Sequence, residues 1–297
     1  MTVHVLVVGG TGVLGRALLP VLARRGHRVT VMAPGARLDT LPGGIGRVRA
    51  SLLDTDVREH LNPVLARCDA VVNAATAMPT NPAAPEAWDG MARLRRDGTR
   101  ILLRAMRDHS VPVVVQMGIT MVYQDGGDRW LDESARWDMR PERRALVDPV
   151  TALENAVHDL PASGSARLIL RAARFVGPGT MQDQLRDQLR RGTLTVPADR
   201  PSYISLVHVA DVAAAVDAAV NAAEDGRVNE AVLNVSDEPL RTHEYLDGLA
   251  RLDGHDPPSR VVGAEISHRV DSSAARNLLK WRPRHGIWPN PRFPPGH

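Results

Sequence analysis

The stretch VLVVGGTGVLGRAL, residues 5–18, decides the fold. Its first four residues are a continuous apolar run, the kind a strand covered on both faces requires. Gly9, Gly12 and Gly15 follow at once. Val13, Leu14, Ala17, Leu18, Val21 and Leu22 then repeat with the i, i+3, i+4, i+7 spacing of an amphipathic helix. Strand, glycine turn and helix in that order make an anion cradle. Gly9 allows the tight turn, Gly12 lets the backbone approach a pyrophosphate, and Gly15 lets helix and strand pack closely. The pyrophosphate then sits on the positive end of the helix. Pro20 falls inside this helix and is expected to bend it or to remove one hydrogen bond.

Working outward, the same alternation continues. Apolar runs recur at RVTVM (28–32), DAVVNAA (69–75), VPVVVQM (111–117), RLILRAA (167–173) and AVLNVS (231–236). A helix over roughly 91–108 carries Met91, Leu94, Ile101, Leu102, Ala105 and Met106. Continuous apolar strands alternating with helices imply a doubly wound α/β architecture, a parallel Rossmann sheet with helices on both faces. Residues 1–177 are expected to form the dinucleotide-binding domain, with 203–236 returning to it. Residues 178–202 and 237–285 are assigned to a smaller C-terminal substrate lobe. The tail 286–297 holds too much proline for packed secondary structure.

Composition narrows the function classes. The 297 residues are 43% hydrophobic and 24% charged, as in ordinary globular proteins. No apolar run reaches the ~18 residues of a membrane span. The N-terminus enters a strand without a basic region or cleavage site, which argues against secretion. The single Cys68 fits a reducing cytoplasm, the expected location. Net charge is only +3, and Lys280 is the one lysine among 37 basic residues. The arginines alternate with acids instead of forming a stripe, and aromatics are 3%, which argues against nucleic-acid binding. The histidines lack metal-ligand spacing, so no metal site is expected. The expected partner is a small-molecule substrate, and the chain is expected to act as a monomer or homodimer.

These motifs resemble the extended or atypical short-chain dehydrogenase/reductase family, in its NAD-dependent epimerase/dehydratase branch. GGTGVLG is similar to the family's glycine motif, VVNAA (71–75) to its cofactor-lining strand end, and DGTRILLRAM (97–106) to the following helix. MVYQDGGDRWLDESA, LRAARFVGPG (170–179), SLVHVADVAAAV (205–216) and ARNLLKWRP (275–283) follow in the family's order. The resemblance implies a dinucleotide held by Gly9, Thr11, Gly12, Val13, Leu14 and Gly15, then by Arg37, Ser51, Leu52, Ala74, Ala75, Thr76, Gln116 and Ala173. Thr76 either contacts the ribose or ends its strand. The second strand ends without Asp or Glu, so nothing there favours a ribose 2′-hydroxyl. Arg37 either meets a 2′-phosphate or is a surface arginine, which makes NADP(H) the preferred cofactor over NAD(H).

The family's proton chemistry uses a tyrosine, a lysine four residues later, and a Ser or Thr. Counting back from Glu154 puts Leu146 and Val150 at the first two places, and counting back four from Tyr123 puts Ile119 at the third. No tyrosine or lysine lies between 124 and 202, so no shift of register restores the pair. The resemblance brings Thr120, Tyr123, Asp148 and Arg174 near the nicotinamide. Tyr123 is either a donor turned into the cleft or a packing residue. Asp148 precedes Pro149 and is expected to cap a helix over 150–158. Arg174 either binds an acidic substrate or phosphate, or pairs with a carboxylate. Thr120, Tyr123 and Arg174 are therefore the catalytic candidates. His208 and Asp211 are read as structural, Asp211 as the cap of an Ala-rich helix. Trp88, Trp130 and Trp137 offer flat surface for a cyclic or aromatic substrate.

Three functions fit. The first is an NAD(P)(H)-dependent reductase or epimerase with a non-standard proton donor, acting on a secondary metabolite. The second is a non-redox isomerase, dehydratase or cyclase on the same fold. The third is a dinucleotide-sensing protein without turnover.

Overall fold

The computed structural model describes residues 2–78, 84, 86–161 and 164–289. Seven parallel strands form its main sheet: β1 (His4–Val8), β2 (Arg28–Met32), β3 (Gly46–Val48), β4 (Ala70–Asn73), β5 (Val113–Ile119), β6 (Ala166–Ala172) and β7 (Glu230–Val235). Their spatial order is β7-β6-β5-β4-β1-β2-β3, so the chain winds outward in both directions from β1 and β4. Period-two alternation explains the apolar runs. Val5, Val7, Val29, Val31, Val72, Val115 and Leu168 face one layer. Leu6, Val8, Met32, Val71, Val114 and Ile169 face the other.

Helices α1 (Val13–Arg24) and α7 (Val209–Glu224) cover the first face. The second is covered by α2 (Val57–Leu65) and by a continuous helical stretch. That stretch comprises α3 (Asp89–Arg93), a π turn (Leu94–Gly98) and α4 (Thr99–Asp108). Pro20 is an exposed residue of α1, so its missing amide faces water. No helix among the described residues is long and apolar enough to cross a membrane.

Two capping expectations are corrected. Helix α5 runs Arg144–His158, so Asp148 is an exposed mid-helix residue and caps nothing. Pro149 sits in the helix interior, where Val147 and Val150 pack on either side of it in sequence. Helix α7 begins before Asp211; its cap is His208, whose Nδ1 accepts from the Ala210 amide at 3.2 Å. Asp211 instead accepts from the amides of Arg284 and His285, at 3.0 and 2.9 Å.

A third apolar cluster joins Val176, Leu189, Val196, Tyr245, Leu246, Leu249 and Ile287, drawing on α6 (Met181–Arg190) and α8 (Thr242–Asp253). Tyr203–Ile204 pairs antiparallel with Leu240–Arg241, and Leu206–His208 pairs parallel with Arg174–Val176. The start of the proline-rich tail is docked: Ile287 is buried and Trp288 packs against the Tyr245 ring at 5.5 Å. Residues 290–297 of that tail, like residues 79–83 and 85, lie outside the described residues.

Candidate active site

The glycine loop leaves β1 at its carboxyl end. Gly9 has φ +83°, and a Cβ there would stand 2.7 Å from the Ala75 Cα. Its amide donates to the Met32 carbonyl at 2.9 Å. Gly12 precedes α1 in extended conformation, with no side-chain cap and no acid in the first helical turn. The first-turn amides and the dipole are thus left for an anion. A Cβ on Gly15 would come within 2.3 Å of the Gly10 backbone, which is the close helix–strand packing expected.

The structure brings Gly9, Gly12 and Gly15 together with Thr11, Val13, Leu14, Ala74 and Ala75. The Thr11 carbonyl accepts from Arg16 at 3.0 Å, and Arg16 reaches the Gly179 turn across the cleft. The side chain of Leu14 is buried in the core, so only its backbone is available to a ligand. Arg37 is exposed on a short 3-10 turn, Ala36–Thr40, just past β2. Ser51 is held by Asp54, and Leu52 is buried against Gly98 of the π turn. Thr76 is exposed beyond β4. Gln116 is buried, with its amide taken up by Asn73 at 2.9 Å and by the Met117 carbonyl at 3.0 Å. Ala173 is buried at the bend after β6.

Behind the cleft, where the acid–base pair was sought, the space is apolar or already committed. Val150 is buried and Leu146 packs beside it, in a cluster with Val122, Tyr123, Leu131 and Val270. Beneath them Arg171 grips Glu154 with two hydrogen bonds, at 2.9 and 2.8 Å. Both side chains are buried. Arg171 also donates to the Tyr123 hydroxyl at 2.9 Å. That hydroxyl donates to Asn234 at 2.7 Å. Tyr123 is 0% exposed, and burial pushes its phenol up to about 12. Its hydroxyl ties β6 to β7 and takes no place in the cleft. Of the tryptophans expected to meet substrate, Trp137 and Trp130 each carry a guanidinium over one face, Arg171 at 5.0 Å and Arg269 at 4.2 Å, while Trp130 stays 54% exposed.

In front, a cavity opens where β5 and β6 end. Thr120 and Arg174 line it together with Ser205, Glu265 and His268. The His268 Nε2 lies 2.9 Å from the Tyr123 carbonyl. A carbonyl only accepts, so this nitrogen carries the hydrogen and Nδ1 keeps the lone pair of the neutral ring. Burial pushes His268 down to about 4, which keeps it neutral at pH 7. Glu265 and His268 were missed in the sequence. They lie far along the chain from Thr120, and no local spacing signals their approach.

A parallel sheet, a glycine cradle at the carboxyl end of β1 and a polar cavity beyond β5 and β6 define an α/β dinucleotide-binding protein. Residues 5–236 match the NAD dependent epimerase/dehydratase family, and the chain belongs to it. It is similar to the 3-diazoavenalumate denitrifying reductase of a Streptomyces species, 31% identical over 96% of this chain and 97% of that protein. It also resembles the 2-alkyl-3-oxoalkanoate reductase of Stenotrophomonas maltophilia strain K279a, 24% identical over 92% and 82% of the two chains. Solved structures share the fold. MoeE5 in complex with UDP-glucose and NAD superposes with a TM-score of 0.78 at 22% identity, covering 96% of this chain and 94% of that one. UDP-glucuronic acid 4-epimerase from Bacillus cereus with NAD gives 0.78 at 18% identity with the same coverage, 96% and 94%.

Proposed function

We propose that this chain is a nicotinamide-dinucleotide-dependent reductase of a small organic acid of the secondary-metabolite type, working without the family's tyrosine and lysine. One observation carries the reading: an intact anion cradle stands in front of an acid–base site filled by buried apolar side chains. A dinucleotide held by that cradle would supply a hydride. The chain's own part is to orient the acceptor, which alone is worth several kcal/mol of barrier, on the order of 7–11 at best.

NADP(H) is favoured over NAD(H). Arg37 is exposed just past β2 and has no ion pair among the described residues, so it is available to a 2′-phosphate. Asp39, the first carboxylate after that strand, is paired with Arg49. Residues 178–202 and 237–285 serve as the substrate lobe, which reaches the cavity through Glu265.

The two relatives are both reductases, and both are named for carboxylates, an avenalumate and an oxoalkanoate. A ketone needs a proton on its oxygen as hydride arrives. An acceptor that is already cationic, as a diazonium group is, needs none. The apolar filling at Leu146 and Val150 therefore favours an electrophilic, diazo-type acid over a simple ketone.

The test follows nicotinamide absorbance with the purified protein, NADPH or NADH, and either a diazonium-bearing aromatic carboxylate or a 3-oxoalkanoate. Consumption above an enzyme-free control, faster with NADPH and with the diazo acid, is the expected result. Conversion of substrate with the nicotinamide spectrum unchanged would overturn the reading in favour of non-redox chemistry.

A further inference from the structure

We infer that Arg174, with Arg143 beside it and the Thr120 hydroxyl at the same cavity, forms a carboxylate-binding subsite that fixes one end of the substrate. The identity of that ligand as substrate rests on the reductase reading; the subsite itself does not.

The first support is an unpaired charge. Arg174 lines the cavity, and among the described residues no carboxylate lies within 4.0 Å of its guanidinium. Only its backbone is bonded, the amide donating to the Ser205 carbonyl at 3.2 Å. Glu265 shares the cavity, but its carboxylate is held on the far segment, where Ser202 donates to it at 3.4 Å. The Thr120 hydroxyl also has no partner among the described residues, although Thr120 is buried.

The second support is the field around it. Arg143 donates to the carbonyl of Met121, a cavity residue, at 2.7 Å, while its Nε is buried without a hydrogen bond. Its nearest acid, Asp138 at 3.5 Å, is already gripped by Arg140 at 2.7 and 2.6 Å. Arg140 also reaches Glu142 at 3.4 Å, so Arg140 and Arg143 have Asp138 and Glu142 as counter-charges, whereas Arg174 has no carboxylate within 4.0 Å among the described residues. His268 is neutral and adds no charge beside Arg174. A guanidinium presents its donors in a flat fork that matches a carboxylate.

Calorimetric binding of cinnamate, cinnamamide, inorganic phosphate and UDP-glucose to the whole protein tests this. Cinnamate is expected to bind at least about tenfold more tightly than its amide, a difference near 1.4 kcal/mol. Arg174→Gln should bring cinnamate down to the level of the amide, Arg174→Lys should recover part of the loss, and Arg143→Gln should cost less. NADP(H) affinity and the melting temperature of Arg174→Gln should stay at the wild-type values, which separates a lost ligand contact from a damaged fold. Equal binding of acid and amide, no cinnamate binding, full affinity in Arg174→Gln, or tighter binding of phosphate or UDP-glucose would each overturn the subsite. A protein that binds cinnamate through Arg174 yet oxidises no NADPH would remove the reductase reading and leave the subsite standing.

Discussion

Gly9 concentrates two constraints at one residue. Its φ of +83° belongs to the left-handed region, and the backbone of Ala74 and Ala75 occupies the space a side chain would need. Gly9→Ala is expected to abolish dinucleotide binding and to lower stability by about 1–3 kcal/mol, read by calorimetry and urea unfolding. The glycine pattern made this residue legible, because the chemistry of a tight turn is local. The pairing of Arg171 with Glu154 was not legible. The two stand on different elements, and nothing in either neighbourhood announces the other. Glu154→Gln leaves a buried guanidinium short of its counter-charge and should cost about 3–5 kcal/mol in denaturant unfolding. Tyr123 shows the same limit: its residue type allowed two roles, and only the three-dimensional neighbours of its hydroxyl choose between them. His268 adds a dependence on pH. Burial holds the folded ring neutral down to about 4, from an ordinary value of 6.5. Between those limits the unfolded chain binds more protons, so stability falls as pH drops through that window, by up to ~3 kcal/mol. His268→Asn should flatten the slope of stability against pH over that interval, measured by urea midpoints.

Helix α5 is the element on which the sequence misleads most. Asp148–Pro149 reads as a helix start, since a residue before proline is usually extended. The chain is already helical from Arg144, and the burial of Val147, Pro149 and Val150 offsets the hydrogen bond that the ring removes. Val150 lies 1% exposed in an apolar cluster. Val150→Lys would place an ammonium there and should cost more than ~3 kcal/mol, beyond what the cavity of Val150→Ala costs; parallel denaturation curves of the two variants check the order. The short strand β3 was also missed. Gly46–Val48 is half or fully exposed at the sheet edge, so it carries no apolar run for a sequence pattern to catch. The long strands were legible for the opposite reason. Buried on both faces, they had to be continuously apolar.

Over the whole molecule, fold class and cofactor cradle were written in local pattern, whereas the cavity in front of them was not. It is assembled from Thr120, Arg174, Glu265 and His268, which meet only after the chain has crossed between its two parts. Dinucleotide binding should make that assembly harder to unfold. At a hundredfold excess over Kd the gain is about 2.7 kcal/mol, seen as a rise in melting temperature with NADPH. The Asp211 carboxylate has a consequence of the same reach. It fastens Arg284 and His285 beneath α7, and the Trp281 indole reaches the Asp211 carbonyl at 2.9 Å. Helix α7 in turn buttresses α1, which carries the glycine cradle. Residues 281–285 thus form a clasp on the helix pair that carries the glycine cradle. Trimming the protein after Trp288 spares the clasp, whereas trimming after Pro283 opens it and strands a buried anion far from the cut.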